Sequence, residues 1–433
     1  MLSGLRQLLP CDRRHFLERT AQTLLGVTIA PALARAADGK PIKPNPPGGN
    51  TAKNVIYLYM AGAMSHLDTF DLKPGREVQG ETKPISTSVA SMQFGERLPE
   101  LAKLADRLAI VRSLHTETAD HEQGRYLLKT SYKEIASIRH PGMGAWAIRL
   151  KGARPRSLPD NVLIGPEGRH PGAGFLEPSM TPVPIGDPIA GLQNTRQPEY
   201  LTEASFDKRL ELINKFDAGF RKKYPQKQVE AYTEFYRQAT ELMSSQDLKA
   251  FDLNQEKDDI RDKYGRDRFG QGCLLARRLV EHDVRFIEVS LDGWDMHTEI
   301  YERTKLPEKT ANLDRALSAL LLDLESRGLL KSTLVVLGTE FGRTPKLNPN
   351  AGRDHHPGAF SAVLAGGGAQ GGRYWGSTDA DGFRPASDDS TPADLNATIA
   401  WAMGLPLHEE VFSKSGRPFK VAHEGQPLVK LFS

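Results

Sequence analysis

The stretch KSTLVVLGTEFGRTPKLNPNAGRDHHP, residues 331–357, decides the fold class of this 433-residue chain. Residues 332–337 are β-branched and apolar, which predicts a short buried strand. Polar residues follow at once, beginning with Thr339 and Glu340, and an Asp-His-His run closes the stretch. Because ligands bind outside the carboxyl ends of strands in open α/β sheets, this order predicts a metal or phosphate site. The alternative is a capped turn with two surface histidines.

Three other predicted strands are also followed by polar clusters. The strands at residues 54–60, 108–111 and 285–291 precede these clusters: Ser65, His66, Asp68 and Asp71; Thr116, Thr118, Asp120, His121 and Arg125; Asp292, Asp295 and His297. Chance would scatter such residues over both ends of the strands, so four clusters at strand ends favour one shared site. Carboxylates and imidazoles together suit a divalent metal ion. For each residue taken singly, capping of a turn or helix is the alternative.

The order of strands and helices predicts an α/β fold with a mostly parallel sheet. Additional strands are expected at residues 161–165 and 359–365, and helices at residues 98–104, 269–282, 313–327 and 391–405. Residues from about 203 to 282 are strongly charged and helical in pattern, which indicates a helical insertion. Residues 166–200 are rich in proline and glycine and predict an irregular segment. The GGGAQG run at residues 366–371 formally matches a dinucleotide-binding fingerprint, but no helix is predicted after it.

Charge and cysteine content argue against a nucleic-acid-binding protein and against a protein stabilised by internal disulfides. The formal net charge is +3, and residues 1–36 contain five arginines and two acidic residues, so the rest of the chain has no net charge. A neutral body argues against nucleic-acid binding through phosphate contacts. Cys11 lies in the N-terminal segment, which leaves Cys273 without an internal disulfide partner after processing.

Residues 1–36 have the order of a twin-arginine export signal. Arg13 and Arg14 precede an apolar run at residues 20–34, and two A-x-A cleavage patterns end at Ala34 and Ala36. We therefore expect the twin-arginine export machinery as a partner, a periplasmic or extracellular location, and no transmembrane segment in the mature protein. An amphipathic first helix is the alternative. Residues 37–53 predict a Pro/Gly-rich linker, and residues 54–433 predict the main domain.

Five stretches of the chain resemble the DUF1501 family of exported, sulfatase-like bacterial proteins within the alkaline phosphatase-like superfamily. They are MAGAMSHLDTFD at 60–71, DHEQGRYLLKTS at 120–131, RHPGMGAW at 139–146, LDGWDMHT at 291–298 and TLVVLGTEFGRTPKLNPNAGRDHHP at 333–357. The resemblance implies a doubly wound, mostly parallel sheet between helices. It also implies metal-dependent hydrolysis of phosphate or sulfate esters, either small molecules or polysaccharides.

The resemblance further implies a set of metal ligands at the strand ends. By position they are His66 or Asp68, Asp292 or Asp295 with His297, Glu340, and His355 or His356. Phe341 departs from the Asp-His pair of the superfamily, so one ligand must come from elsewhere, either Asp354 or His121. The metal is a divalent ion, one or two in number, and zinc, manganese, calcium and iron are all open.

The catalytic assignments stay as alternatives. Thr116, Thr118, Ser65 or a water molecule is the nucleophile, with His121 nearby, and Arg125 or Arg343 neutralises the ester oxygens. No C-x-P-x-R sulfatase signature is present, which argues against a formylglycine sulfatase. A catalytically inactive binding or assembly protein at the cell surface is the second hypothesis, motivated by Phe341. A metal-dependent isomerase or mutase is the third.

Overall fold

The computed structural model describes residues 44–154, 158–166, 169–191 and 245–433, with isolated positions at 205, 208, 211, 212 and 215. The predicted export signal, the first part of the linker and most of the predicted helical insertion lie outside the described residues. Residues Asn45–Ser433 form one compact unit. Within the described ranges, no helix is long and apolar enough to cross a membrane.

A mixed sheet of eight strands forms the centre of the described structure. The strands are β1 (Asn54–Met60), β2 (Leu108–Leu114), β3 (Asn161–Ile164), β4 (Val183–Ile185), β5 (Phe286–Leu291), β6 (Thr333–Gly338), β7 (Phe360–Gly366) and β8 (Arg373–Trp375). Their order across the sheet is β8-β2-β7-β6-β1-β5-β3-β4. Strand β7 runs antiparallel to β2 and β6, and the other neighbouring pairs are parallel.

Helices cover both faces of this sheet. They are α1 (Pro99–Lys103), α2 (His121–Thr130), α3 (Met143–Lys151), α4 (Asp258–Tyr264), α5 (Arg268–Glu281), α6 (Leu306–Ser326) and α7 (Pro392–Ala402). Successive side chains of a strand point to opposite faces. In β1, Ile56 and Leu58 join the core that contains α5 and α6, whereas Val55 and Tyr57 join the core that contains α3 and α7. Burial on both faces explains why these strands are nearly continuous apolar runs.

Four small two-stranded sheets lie outside the central sheet. They pair Pro84–Ser86 with Gln93–Gly95, Gly342–Arg343 with His355–His356, Ser377–Thr378 with Pro385–Ser387, and Val411–Phe412 with Pro418–Phe419. The second of these folds the polar end of residues 331–357 back on itself and sets His355 opposite Arg343.

The predicted α/β class is confirmed, and the predicted strands that flank the polar clusters lie where expected to within a few residues. One expectation was wrong: residues 166–200 are not wholly irregular, because the Pro-containing β4 forms an edge strand beside β3. The GGGAQG run ends β7 and is followed by β8, so no nucleotide-binding helix follows it. Since β1, β5 and β6 are neighbouring and parallel, their carboxyl ends meet at one edge of the sheet.

Candidate metal centre

Side chains from three separate segments converge at this edge. His121 begins α2, Asp295 follows β5, and His355 lies in the small sheet beyond β6. One ligand atom from each of the three lies within 4.8 Å of the other two. His121 Nε2 is 3.3 Å and His355 Nε2 is 3.2 Å from the same oxygen, Oδ1 of Asp295. These three side chains form a group of metal-ligating type in the described structure.

His297 adds a fourth side chain to this group. Its Nε2 lies 2.9 Å from Asp295 Oδ1 and 3.0 Å from His355 Nε2. Asp295 Oδ1 is therefore contacted by the Nε2 atoms of three imidazoles. We call His121, Asp295, His297 and His355 the metal-ligand cluster.

The Nδ1 atom of each histidine contacts an acceptor outside the cluster. The pairs are His121 with Glu340 Oε1 at 2.7 Å, His297 with Asp354 Oδ1 at 2.8 Å, and His355 with the Ala119 carbonyl at 2.7 Å. Ionised carboxylates and carbonyls only accept hydrogen bonds. Each Nδ1 therefore carries the hydrogen, and in the neutral ring each Nε2 directs a lone pair into the cluster. Orientation of metal-ligating histidines by such outer acceptors is common in metalloproteins.

The electrostatics keep these acceptors ionised. Burial raises the pKa of Glu340, but the hydrogen bond from His121 outweighs it, so the pKa lies below its usual value. The hydrogen bond from His297 likewise lowers the pKa of Asp354. Both carboxylates are thus charged at neutral pH and serve as acceptors.

The residues present fit a metal ion. His121 Nε2 is buried, and its 3.3 Å contact with Asp295 Oδ1 is not a hydrogen bond, so the atom has no hydrogen-bond partner. The lone pairs of His297 and His355 face each other across 3.0 Å, which is repulsive unless a cation or a proton lies between them. Arg343 Nη1 contacts His297 Nε2 at 3.4 Å and offsets only part of this repulsion. Three imidazole nitrogens and one carboxylate oxygen match the donor sets of zinc and other transition metals. A divalent ion would satisfy all of these atoms together.

Arg343 holds Asp295 of the metal-ligand cluster in position. Its fully buried guanidinium donates to Asp295, to the carbonyl of Gly62, and to the carbonyls of Ala63 and Arg353 at 3.0 Å each. Burial raises the pKa of Asp295, but the Arg343 hydrogen bond and charge outweigh it and hold that pKa well below the usual range. Asp295 is therefore an anionic ligand, and Arg343 fixes its position.

Asp68 is not part of the cluster, contrary to the expectation that it binds the metal. It is fully buried and forms an ion pair with Arg353 Nε at 2.8 Å. Its oxygens also accept hydrogen bonds from neighbouring hydroxyls: Ser65 at 2.6 Å, Thr82 at 2.6 Å and Tyr301 at 3.0 Å. These four donors occupy both carboxylate oxygens, so no lone pair is directed towards an ion.

Three further expected ligands also lie outside the cluster. His66 is buried, and its Nε2 contacts the Gly382 carbonyl at 2.9 Å. His356 points away from His355, because adjacent residues of a strand face opposite sides, and its Nε2 contacts the Phe383 carbonyl at 2.8 Å. Asp292 is exposed. Glu340 and Asp354 contact the histidine Nδ1 atoms instead of facing the ion, so the structure places them as orienting carboxylates.

Some of the predicted catalytic side chains form hydrogen bonds within the protein, and others have a polar atom without a hydrogen-bond partner. Thr118 Oγ1 donates to Gln123 Oε1 at 3.2 Å and accepts from the Asp120 amide, which makes it part of the α2 start. Thr116 Oγ1 is buried without a hydrogen-bond partner, and so is Nε of Arg125. Arg125 is one helical turn after His121, so both side chains lie on the same face of α2. Arg343 is bound to Asp295, as described above.

Sequence reasoning missed several supporting groups. The Ala119 carbonyl and Arg353 carry no signature of their own, although Arg353 directly precedes Asp354. Gly62 also supports the cluster, because it lets two backbone segments approach closely. Its amide donates to Glu340 Oε1 at 2.9 Å, and a Cβ on it would lie 2.5 Å from the Asp295 amide nitrogen, at a φ of +110°.

Comparison with known proteins gives one family match. The model of the family described as "Protein of unknown function (DUF1501)" matches residues 52–432. The chain therefore belongs to the DUF1501 family. Comparison with curated protein sequences finds no significant match.

Solved structures provide distant likenesses. They include the PsFucS1 sulfatase from Pseudoalteromonas sp. (14% identity, 81% of this chain and 68% of that chain, TM-score 0.37). A protein in the alkaline phosphatase superfamily from Vibrio parahaemolyticus is 11% identical over 98% of this chain and 79% of that chain, with a TM-score of 0.37. The soluble domain of lipooligosaccharide phosphoethanolamine transferase A from Neisseria meningitidis is 11% identical over 87% of this chain and 93% of that chain, with a TM-score of 0.32. Similarity at this level assigns neither activity nor substrate to the chain.

Proposed function

We propose that this member of the DUF1501 family is a metal-dependent hydrolase of phosphate or sulfate esters. The observation that carries the proposal is the convergence of three histidine Nε2 lone pairs on Asp295 Oδ1 at the carboxyl edge of the sheet. A structural metal site would close all coordination positions with protein atoms. Here Asp295 and His297 are partly exposed, with side-chain exposures of 46% and 42%, so a substrate can approach.

The charges around the cluster favour a single divalent ion. Asp295, Glu340 and Asp354 supply three negative charges, and Arg343 supplies one positive charge. The two remaining negative charges equal the charge of one divalent ion. Asp68, which was expected to supply a further ligand, already has its negative charge neutralised by Arg353.

The donor set narrows the identity of the ion. Calcium and magnesium prefer oxygen ligands. Three imidazole nitrogens with one carboxylate favour zinc or iron, and manganese ranks below them. Among the metals open from the sequence, we therefore propose zinc or iron and exclude calcium from the proposal.

The chain's own residues have separate tasks in this proposal. When bound, the ion supplies Lewis-acid polarisation of an ester oxygen. Arg125 lies on the same face of α2 as His121 and has an unpartnered Nε, so it is placed to bind the anionic oxygens of the ester. Thr116, whose hydroxyl is also unpartnered, is the protein nucleophile that fits best, because the Thr118 hydroxyl is engaged with Gln123 and Asp120. Water is the alternative nucleophile.

Export belongs to the proposal as well. The twin-arginine pattern at residues 1–36 supports export of an already folded and metal-loaded protein to the periplasm or beyond. A chain that acts there would meet ester substrates outside the cytoplasm, either small molecules or polysaccharides.

One observation favours a second candidate, a catalytically inactive binding or assembly protein at the cell surface. In the alkaline phosphatase-like superfamily that the chain resembles, a metal ligand stands at the position of Phe341. Here Phe341 packs against His121 with ring centroids 4.9 Å apart. This contact orients a histidine without contributing a ligand atom. A protein that binds metal but hydrolyses no ester would fit this second candidate.

Metal analysis combined with an ester screen tests the proposal. The mature chain is purified without added metal or chelator, its metals are measured by inductively coupled plasma mass spectrometry, and hydrolysis of p-nitrophenyl phosphate, bis-p-nitrophenyl phosphate and p-nitrophenyl sulfate is followed. About one equivalent of zinc or iron is expected, with hydrolysis that chelator removes and the metal restores. Absence of metal, even after titration, would refute the metal centre. Metal without any hydrolysis would favour the second candidate.

A further inference from the structure

A cavity separate from the metal-ligand cluster lies at the same edge of the sheet. It has a volume of about 520 Å³ and is lined by His115, Gly358 and residues 384–389. This volume lies within the range of small-molecule binding sites. His115 directly follows β2, and Gly358 lies two residues before the start of β7 at this edge, since β7 is antiparallel to β2.

The sheet order places this cavity beside the cluster. The cavity lies over β2 and β7, and the cluster lies over β6, β1 and β5, which come next in the sheet. Because neighbouring strands are about 4.8 Å apart, the two sites are separated by roughly 10–15 Å along the edge. The Thr116 amide donates to the Pro357 carbonyl at 2.9 Å, which joins the segments that carry His115 and Gly358. A ligand of several linked rings could occupy both sites.

The wall of the cavity is held in an unusual conformation. Asp388 has a φ of +45°, a left-handed conformation that aspartate adopts more readily than most other non-glycine residues. Its carbonyl accepts hydrogen bonds from Ser113 Oγ at 2.6 Å, Trp375 Nε1 at 3.1 Å and Ser390 Oγ at 3.2 Å. These three donors to one carbonyl fix the conformation of the cavity wall.

The lining offers hydrogen-bond donors and acceptors side by side. Arg384 and Asp388 both line the cavity and are exposed, and in the part of the chain that the structure describes their side chains make no hydrogen bond or ion pair, so both are accessible to a ligand. Asp389 Oδ2 lies 3.3 Å from His115 Nε2. Carboxylates only accept and guanidinium only donates, whereas a hydroxyl does both, so a polyhydroxylated ligand satisfies this lining. Two carboxylates against one guanidinium disfavour a polyanion.

We propose that this cavity binds neutral sugar residues next to the ester group, so that the substrate is a carbohydrate ester. The role of the cavity as a substrate subsite rests on the proposed hydrolase function, but sugar binding by the cavity does not require hydrolysis. Arg384 and Asp388 contact sugar hydroxyls, and the metal-ligand cluster contacts the ester. Strand spacing places the cluster roughly 10–15 Å from the cavity.

Ligand-observed NMR with neutral tetrasaccharides tests the inference on the full mature chain. The probes are cellotetraose, maltotetraose and agarotetraose, with spermidine as a cationic probe for the acidic side of the cavity. At least one tetrasaccharide is expected to bind. Asp388→Asn keeps a residue type that tolerates the left-handed conformation, and together with Arg384→Gln it is expected to weaken that binding about tenfold or more. Glu410→Gln, which alters an exposed carboxylate outside the cavity, is expected to bind like the native chain.

The outcomes separate this inference from the proposed function. His297→Ala is expected to lose metal and to keep tetrasaccharide binding, since His297 belongs to the cluster and not to the cavity. Failure of every tetrasaccharide to bind, or binding that Arg384→Gln and Asp388→Asn leave unchanged, would overturn the inference whatever the metal content. Spermidine binding in place of sugar binding would overturn it in favour of a cationic ligand.

Discussion

The Nε2 atoms of His297 and His355 lie 3.0 Å apart, and neither has a hydrogen to donate to the other when both rings are neutral. The reason lies on the far side of each ring, where Nδ1 donates to Asp354 and to the Ala119 carbonyl. A cation stabilises two facing lone pairs, and Arg343 Nη1, 3.4 Å from His297 Nε2, already supplies a positive charge on one side. A bound metal ion would in addition satisfy the Nε2 atoms of His355 and His121, so this relationship supports metal binding together with the unpartnered Nε2 of His121.

Replacement of His355 is expected to abolish metal binding. His355→Ala removes one of three imidazole ligands, so the metal content should fall from about one equivalent to less than about a tenth of that. His356→Ala is the matched control, because His356 is adjacent in sequence but contacts Phe383 instead of the cluster. Metal analysis of both purified variants measures the difference. Equal metal loss in both would place the site elsewhere.

Glu340 is expected to tune metal affinity through His121. Glu340→Gln keeps the size of the side chain but removes the negative charge that fixes the His121 tautomer. Loss of such an outer acceptor typically weakens metal binding about 10–100-fold. Competition with a chromophoric chelator measures the affinity, and Glu308→Gln, at an exposed position on α6, is the control. Unchanged affinity would contradict the orienting role, and complete metal loss at saturating metal would make Glu340 a direct ligand.

The edge of the sheet that carries the site could be predicted from sequence, because polar residues after parallel strands must meet at one edge. This reasoning places Asp295, His297 and His355 among the candidate ligands, with Asp292 and His356 as alternatives. The choice within pairs could not be predicted. His355 and His356 differ only in which side of a two-residue strand they face, and that depends on pairing with Gly342–Arg343.

The partner of Asp68 was likewise beyond sequence reasoning. Arg353 is 285 residues away along the chain, and nothing in the local pattern connects the two. A buried carboxylate after a strand looks the same in sequence whether its countercharge is a metal ion or a guanidinium. Only the tertiary fold decides between them.

Asp68 is expected to matter for stability and not for metal binding. Asp68→Asn leaves the buried guanidinium of Arg353 without its countercharge, and breaking a buried pair costs about 3–5 kcal/mol. Urea unfolding should show this loss, whereas the metal content of the folded variant should stay near that of the native chain. A variant with native stability and no metal would restore Asp68 as a ligand.

Replacing both partners of this pair is the control for the Asp68 prediction. The double variant Asp68→Leu with Arg353→Met removes both charges, and apolar replacement of a buried pair is often nearly neutral. We therefore expect it to be more stable than Asp68→Asn alone. Recovery should be partial for two reasons. The hydroxyls of Ser65, Thr82 and Tyr301 lose their acceptor, and four backbone carbonyls lose the Arg353 donor: Val78, Gln79, Thr344 and Pro345. A double variant less stable than the single one would argue that Arg353 is satisfied without Asp68.

His66 is expected to make the protein sensitive to acid. Burial lowers the pKa of His66 from its ordinary value of 6.5 to about 4 in the folded state. Between these two values the unfolded chain binds a proton that the folded chain does not, so the free energy of unfolding falls as the pH falls through this window. A shift of this size corresponds to about 3 kcal/mol at most. His140, whose pKa burial also lowers to about 4, should act in the same direction.

Urea unfolding of His66→Gln at a series of pH values between 4 and 7.5 tests this contribution. Glutamine can still donate to the Gly382 carbonyl, as His66 Nε2 does, but it cannot be protonated. The variant should therefore lose less stability than the native chain between pH 6.5 and pH 4, and His140→Gln should flatten the same part of the curve independently. If the native chain and His66→Gln show the same slope across this window, His66 does not remain neutral in the folded protein, and its buried position would then require a countercharge such as Asp71.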